Sequence, residues 1–273
     1  MRADRSKTVF MRGCGDLGTG VALALVAAGY RVLVIERPRP TTLRRQVALS
    51  TAAIEGRVTV GGVEAVHAET LDAIDEALAA GQVPVWTRGE AALGGRYRPD
   101  AIVDARLRGL AEPSLDKAEA PVVIALGPGY VAGRHCHYVI ETNRGPSLGA
   151  VLERGQAEPH TGVPGTVAGE AARRILRSPV AGVFTGIRGL GELVEAGEVV
   201  GTVDGVPVRA RLSGMIRGLL LDGHAVPAGK KVGDVDPRGA DAPLSEPSDK
   251  SAAIGAGVLE ALRRGEGGGR AGA

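Results

Sequence analysis

Three glycines near the amino terminus, Gly13, Gly15 and Gly18, have the spacing G-x-G-x-x-G. A short apolar run over residues 9–11 precedes them, and a helix-compatible run over residues 17–28 follows. Glycines in such a strand–turn–helix segment let a phosphate group approach backbone N–H groups at the positive end of a helix. The spacing therefore predicts an anion-binding turn.

The β-rich run that follows this helix ends at Glu36, 18 residues after Gly18. A carboxylate at that position can accept a hydrogen bond from a ribose hydroxyl. Asp16, in the first helical turn, complements the helix dipole and is also a candidate ligand contact. The segment predicts a nucleotide site, a site for another phosphate, or a tight turn without a ligand, and the sequence leaves these three open.

Short apolar runs alternate with helical runs over the first half of the chain. The apolar runs lie at residues 31–35, 58–60, 83–86, 101–104 and 121–126. Helices are predicted from Thr41 or Thr42 to Glu55, and over residues 69–80, where the apolar residues share one face. This alternation predicts an α/β fold in which a Rossmann-like parallel sheet is covered on both faces.

A second glycine turn, with Gly127 and Gly129, follows the predicted strand at residues 121–126. At the carboxyl edge of a parallel sheet, this turn predicts either a second anion cradle or a simple end to the strand. Arg144 follows the next predicted strand, residues 135–142, and is a candidate phosphate contact or a solvated loop residue.

Residues 178–238 contain an internal repeat at an offset of 32 residues, with ten identities in the 23 positions that begin at Gly182. Each half is a series of short β runs separated by glycine, which predicts a small all-β unit with pseudo-twofold symmetry. The arrangement resembles the barrel-sandwich domain of biotinyl and lipoyl carriers, which hold their cofactor on a lysine between the halves. The junction here, residues 204–209, has no lysine, so a carrier role is not expected.

These patterns divide the chain into five parts. They are a Rossmann-like nucleotide- or cofactor-binding domain (1–150), a linker (151–177), a barrel-sandwich domain (178–238), a C-terminal segment and helix (239–265), and a disordered tail (266–273). The C-terminal helix is expected to pack back on the first domain.

The composition of the 273 residues is typical of a soluble globular protein, with 44% hydrophobic and 23% charged residues. A net charge of +2 and scattered basic residues predict no nucleic-acid partner. The amino terminus lacks a signal-peptide pattern and no apolar run reaches about 18 residues, which predicts a cytoplasmic protein without a membrane partner. The oligomeric state stays open, and a homo-oligomer is one of the alternatives.

Several unrelated motifs, taken in order, resemble one family. They are GCGDLGTGVA, GPGYVAGRHCHYVIETNRG, EPHTGVPG, the β repeat without a lysine, and GDVDPRG followed by SDKSAAIGAGVLEAL. Over nearly its whole length the chain resembles the YqeB-type accessory proteins of the selenium-dependent molybdenum hydroxylase system, which are related to xanthine dehydrogenase accessory factors. The resemblance implies maturation of a molybdenum hydroxylase client, by handling the molybdenum cofactor or by supplying it with sulfur or selenium.

The resemblance also implies roles for individual residues. Cys136 matches a cysteine of the family motif, and a thiolate there, flanked by His135 and His137, would coordinate molybdenum or accept sulfur or selenium. The alternative is a buried strand cysteine that packs as a small apolar residue. Asp249 and Lys250 lie in the last motif and are site candidates, in addition to starting a helix.

Cys14 departs from the family pattern, in which a small residue such as alanine is more usual at this position. A thiol at the start of a helix has its pKa lowered by the helix dipole and nearby N–H groups. The alternative is a small side chain tolerated between two glycines.

Three functions remain open from the sequence, and with them the question of whether the chain is an enzyme. The first is the accessory factor, which would bind the molybdenum cofactor. The second is an NAD-dependent oxidoreductase, which Glu36 supports but for which no hydride-transfer acid–base residue is recognisable. The third is a scaffold without catalytic activity.

Overall fold

The computed structural model describes residues 7–107, 114–160 and 165–268, and these form two compact units. The first, called the α/β unit, comprises the described residues of Met1–Pro40, Val47–Thr161 and Pro247–Ala273. The second, called the β unit, comprises those of Thr41–Gln46 and Gly162–Glu246.

The α/β unit contains one nine-stranded sheet. Its strands are β1 (Thr8–Arg12), β2 (Arg31–Ile35), β3 (Arg57–Val60), β4 (Val63–Ala68), β5 (Val83–Trp86), β6 (Ala101–Asp104), β7 (Val122–Leu126), β8 (Tyr138–Ile140) and β9 (Val151–Leu152). They are ordered β3-β4-β5-β2-β1-β6-β7-β8-β9, and the seven strands from β4 to β8 in this order are parallel. The two edge strands, β3 and β9, run antiparallel to their neighbours.

Helices cover both faces of this sheet. They are α1 (Asp16–Ala28), α2 (Ala52–Glu55), α3 (Leu71–Ala79) and α4 (Asp249–Gly268). Because successive side chains of a strand point to opposite faces, β1 divides its residues between two cores. Val9 and Met11 pack with α1 and α4, whereas Phe10 packs with Ile74 of α3 on the other face.

The predicted Rossmann-like parallel sheet is wrong, because the sheet is mixed. Strand β4 was not predicted from the sequence. It pairs with β3, and a two-residue turn at Gly61 and Gly62 connects the two strands. Both glycines have positive φ, 56° and 78°, and consecutive positive φ values are what a tight β-hairpin needs. A Gly-Gly pair between apolar runs is a hairpin signal, and it makes this edge antiparallel.

Two predicted elements also differ from the structure. The helix expected up to Glu55 is replaced by short 3₁₀ turns at Arg45–Val47 and Leu49–Thr51, followed by the four residues of α2. The strand expected over residues 135–142 shortens to β8, because His135 lies in a tight turn in which its N–H donates to Val131 O at 2.9 Å.

The β unit contains two four-stranded antiparallel sheets. Its strands are β10 (Ile175–Arg177), β11 (Gly182–Gly186), β12 (Leu193–Val194), β13 (Val199–Val203), β14 (Val206–Arg209), β15 (Gly214–Leu219), β16 (Ala225–Val226) and β17 (Lys231–Asp236). The orders are β10-β17-β15-β12 and β14-β13-β11-β16. Strands related by the offset of 32 residues, such as β11 and β15, lie in different sheets, and both sheets contribute to one core.

The predicted barrel-sandwich domain is wrong as well, since the unit consists of two separate antiparallel sheets. One of them begins with β10, a strand that the sequence reading assigned to the linker. A buried ion pair joins this segment to β17, with Arg174 Nη2 at 3.0 Å from both carboxylate oxygens of Asp234. No repeat pattern encodes this contact.

Helix α4 packs against α1 through glycines, and the two helices run parallel. A Cβ at Gly20 would lie 2.5 Å from Ser251 Cβ, and a Cβ at Gly255 would lie 3.0 Å from Ala24 Cβ. Positions increase together along both helices, so their amino termini lie at the same end. The helix continues to Gly268, past the predicted start of the tail, and residues 269–273 lie outside the described residues.

We predict that Gly20→Ala destabilises the α/β unit by about 1–3 kcal/mol, because the added methyl group overpacks the contact with Ser251. The single tryptophan, Trp86, is buried in this unit and reports its unfolding in urea by fluorescence. Gly267→Ala is the matched control, because nothing lies within 4 Å of its added Cβ. A Gly20→Ala protein with the wild-type urea midpoint would contradict this account of the helix contact.

Candidate functional site

The predicted site residues of the α/β unit lie at one edge of its sheet, where the parallel strands have their carboxyl ends. Gly13, Gly15, Asp16 and Gly18 follow β1, Glu36 follows β2, Gly127 and Gly129 follow β7, Arg144 follows β8, and Asp249 and Lys250 begin α4. This edge, called the carboxyl edge, is where ligands bind in open α/β sheets. The connections from β1 and from β6 leave this edge in opposite directions, so a topological switch point lies between the two strands.

The first glycine turn is shaped by close backbone contacts. Gly13 has a φ of 85°, and its N–H donates to Ile35 O at 2.9 Å. A Cβ at this position would lie 3.0 Å from Cγ of Arg106, and a Cβ at Gly18 would lie 2.9 Å from Gly13 O. Gly15 caps α1 in an extended conformation. Packing against Arg106 and within the turn therefore explains the glycines at positions 13 and 18.

Glu36 bonds to the glycine turn itself. Its Oε2 accepts a hydrogen bond from the N–H of Cys14 at 3.0 Å, and its Oε1 accepts one from the N–H of Arg37 at 2.9 Å. The carboxylate predicted to contact a ribose thus holds the turn in this structure.

Arg144 and the start of α4 form a second part of the site. The guanidinium of Arg144 bonds the carboxylate of Asp249 through two parallel hydrogen bonds of 2.9 Å. This arginine, with the N–H of Lys250, lowers the pKa of Asp249 to about 2. Arg144 and Asp249 are both exposed, so the pair orients the loop after β8 but adds little to stability.

Lys250 is half-buried beside this pair. Burial lowers its pKa, as does the positive charge of Arg144, while the carboxylates of Asp16 and Glu141 raise it. Within the described residues, no carboxylate lies at ion-pairing distance from its ammonium group. Lys250 is therefore a cation that is near several acids and bound to none of them.

Sequence reasoning missed the buried residues that shape the loop after β8. Glu141 is 3% exposed, and its carboxylate accepts hydrogen bonds from the N–H groups of Thr142, Asn143 and Glu158 at 2.7–2.8 Å. The hydroxyl of Thr142 is buried without a hydrogen-bond partner in the described part of the chain, and it faces the Gly127 turn. An acidic residue directly after an apolar strand was the available signal.

A second missed cluster lies where β1 and β6 end. Asp104 is 1% exposed, and it accepts hydrogen bonds from Arg106 Nε at 2.9 Å and from the hydroxyl of Tyr130 at 2.8 Å. Beside it, the buried guanidinium of Arg12 is bound by the carboxylates of Glu90 and Glu119. These charged residues terminate apolar strands, which marks them in the sequence.

Both cysteines are buried. Burial raises the pKa of Cys14 to about 12, although the N–H groups of a helix start led to the expectation of a lowered value. Burial likewise raises the pKa of Cys136 to about 12, and its thiol bonds the backbone of Ala125 in β7. Neither thiol is presented as a thiolate in this conformation.

The two histidines beside Cys136 are each held by a backbone N–H. Nδ1 of His135 accepts a hydrogen bond from Val131, and Nδ1 of His137 accepts one from Val123, both at 3.0 Å. Burial and the charge of Lys117 lower the pKa of His137. Over the described ranges, no group of three or more His, Cys, Asp or Glu side chains is arranged to hold a metal ion.

Comparison with known proteins gives one clear sequence relative. No protein-family model matches the chain. The uncharacterized protein YqeB of Escherichia coli (strain K12) is 45% identical over 256 residues, which are 93% of this chain and 47% of YqeB. The chain is a homologue of YqeB. It spans about half the length of this curated relative, and the similarity supports the YqeB-type part of the resemblance.

Solved structures give only distant likenesses. An aspartoacylase family protein from Mesorhizobium loti is 13% identical, with 84% of each chain covered and a TM-score of 0.27. A succinylglutamate desuccinylase/aspartoacylase from Rhodobacter sphaeroides is 18% identical, with 84% of this chain and 85% of that chain covered and a TM-score of 0.26. At these TM-scores no argument about fold or function follows. In the part of the chain that the structure describes, no helix has the length and apolar character to cross a membrane.

We predict that neither cysteine reacts with iodoacetamide at pH 8 while the protein is folded. A thiol with a pKa of about 12 has roughly one thiolate in ten thousand at this pH, whereas an ordinary exposed thiol has a pKa of about 8.5. Mass spectrometry of native and urea-unfolded samples measures the labelling of each cysteine, and the unfolded sample serves as the control. Rapid native labelling of Cys136 alone would show that its thiol is accessible.

Proposed function

We propose that the chain is an accessory protein for the maturation of a molybdenum hydroxylase, and that the carboxyl edge of its α/β unit holds the phosphate end of the molybdenum cofactor. In a narrower form of the proposal, the hydroxylase is selenium-dependent. The observation that carries the proposal is the side-by-side placement of two helix amino termini at this edge, next to Lys250.

The amino termini of helices α1 and α4 are expected to attract anions. The amino terminus of a helix behaves as roughly half a positive charge, and its first N–H groups have no partner within the helix. Helices α1 and α4 have 13 and 20 residues, and both begin at the carboxyl edge. A phosphate group at this edge would therefore be stabilised by both dipoles.

Lys250 adds a full charge to these partial charges. Because its ammonium group is half-buried and bound to no described carboxylate, a phosphate oxygen would gain a charge-assisted hydrogen bond there. Arg144 already bonds Asp249 through both terminal nitrogens, so it orients the site and is a weaker candidate for direct contact.

The bound cofactor would supply the molybdenum centre that the client hydroxylase uses. The residues of this chain at the carboxyl edge would bind and orient its phosphate end. In the narrower form of the proposal, Cys136 accepts sulfur or selenium. Because the thiol of Cys136 is buried, the surrounding core has to open before this thiol can react. In this form the partner is the client hydroxylase, in the cytoplasm.

An NAD-dependent oxidoreductase is the second candidate, and Glu36 is the residue that favours it. The position of Glu36 after β2 suits contact with a ribose, although both of its carboxylate oxygens accept backbone hydrogen bonds. A scaffold without a ligand is the third candidate. The identity of the bound ligand separates these functions.

We expect the purified full chain, incubated with molybdenum cofactor released from a molybdenum hydroxylase, to retain pterin and molybdenum in equal amounts. Lys250→Met should weaken retention about tenfold, the loss expected for one charge-assisted hydrogen bond. Lys230→Met is the matched control, because this lysine is exposed and lies in the β unit. Mass spectrometry and metal analysis measure the retained ligand.

Retention of a nicotinamide dinucleotide in this experiment would favour the oxidoreductase. A chain that retains nothing from either source would contradict cofactor binding and leave the scaffold. Equal weakening by Lys250→Met and Lys230→Met would place the ligand elsewhere.

For the narrower form, we expect Cys136→Ser to abolish maturation of the client hydroxylase in cells that depend on the variant chain. Cys14→Ser is the control, since this thiol is also fully buried. Hydroxylase activity, normalised to client protein, is the measurement. Full maturation with Cys136→Ser would remove the sulfur and selenium role and leave the phosphate site untouched.

A further inference from the structure

An open groove lies at the other end of strands β7 and β8, where they have their amino ends. It has a volume of about 550 Å³, within the range of small-molecule sites, and its polar lining includes Asp116, Lys117, His137 and Glu153. We call it the amino-edge groove. None of the site residues predicted at the carboxyl edge lines it.

The orientation of His137 is set by the backbone of β7. The N–H of Val123 donates to Nδ1 of His137 at 3.0 Å, and the N–H of His137 donates to Val123 O at 2.8 Å. Because Nδ1 accepts a hydrogen bond, the proton of the neutral ring is on Nε2. The imidazole in the wall of the groove therefore has an Nε2–H group that can donate to a ligand.

Lys117 is the second donor. Its ammonium group donates to the O atom of Gly133, which also lines the groove, at 3.2 Å, and this bond uses one of its three hydrogens. Within the described residues, no carboxylate lies at ion-pairing distance from Lys117. The lysine is close enough to His137 for its charge to act on the imidazole.

The acids of the groove are bound by other groups. Asp116 caps a turn, with Oδ1 accepting from the N–H of Ala118 at 2.9 Å. Glu153 Oε1 accepts from Arg264 Nη1 at 3.1 Å. Among the described residues, the groove thus contains two donors without acidic partners, beside two acids that already have donors.

We propose that the amino-edge groove is a binding site for a small, singly charged oxyanion, in which Lys117 and the Nε2–H of His137 contact the oxygen atoms. Asp116 and Glu153 oppose a higher charge on the ligand, so a carboxylate or a phosphate ester with one negative charge fits best. The site is separate from the carboxyl edge and does not depend on the function proposed for it.

The test is a titration of the full chain, followed by the ¹⁵N and ¹H resonances of the histidine rings at constant ionic strength. Sodium acetate and sodium phosphate are the two probes, and they separate the carboxylate from the phosphate form of the proposal. We expect a saturable shift of the His137 Nε2 resonance with at least one probe. Lys117→Met should weaken binding about tenfold, as the loss of one charge-assisted hydrogen bond predicts.

Lys230→Met and His160→Phe are the controls, because both residues are exposed and neither lines the groove. They should bind the probe as the wild type does. A His137→Phe variant should lose binding, and Lys117→Met keeps the test informative if that variant does not fold. The proposal is overturned if neither probe gives a saturable shift, or if Lys117→Met binds as tightly as Lys230→Met.

Discussion

The parallel packing of α1 and α4 is the contact on which the carboxyl edge depends. Two parallel helices with adjacent amino termini place like partial charges side by side, which is unfavourable. Close glycine contacts offset this, since Gly20 and Gly255 let the helix backbones approach to distances that a methyl group would not allow. Asp16 and Asp249 in the first turns further reduce the repulsion. An anion bound at this edge would also reduce the repulsion between the two helix amino termini.

Hydrogen bonding decides which charges at the carboxyl edge are available. The carboxylates of Glu36 and Glu141 accept hydrogen bonds from backbone N–H groups, and the carboxylate of Asp249 accepts hydrogen bonds from Arg144. Lys250 keeps a charge that no described acid neutralises at close range. Among these four residues, the charge that is not paired with an opposite charge or bound by backbone N–H groups is that of the cation Lys250.

The local signals of the sequence predicted individual strands and the first glycine turn, whereas the fold class predicted from them was wrong. Apolar runs with clear boundaries gave β2, β5 and β6, and glycine spacing gave the turn after β1. The antiparallel edge at β3 was missed because the Gly-Gly turn was not interpreted as a hairpin, and the one at β9 because residues 151–152 were assigned to the linker. Asp104 and Arg12 were missed because their partners, such as Tyr130 and Glu90, are distant in sequence.

Helix α4 links the two ends of the sheet. With 20 residues it is roughly 30 Å long, so it reaches from Lys250 at the carboxyl edge to Arg264, which bonds Glu153 beside the amino-edge groove. Sliding α4 along α1 would displace both ends together. Gly257 also packs closely against the loop after β8, because a Cβ added at this position would overlap Gly149 O. Backbone contacts to α1 and to this loop therefore hold α4 along its length, and with it the positions of Lys250 and Arg264.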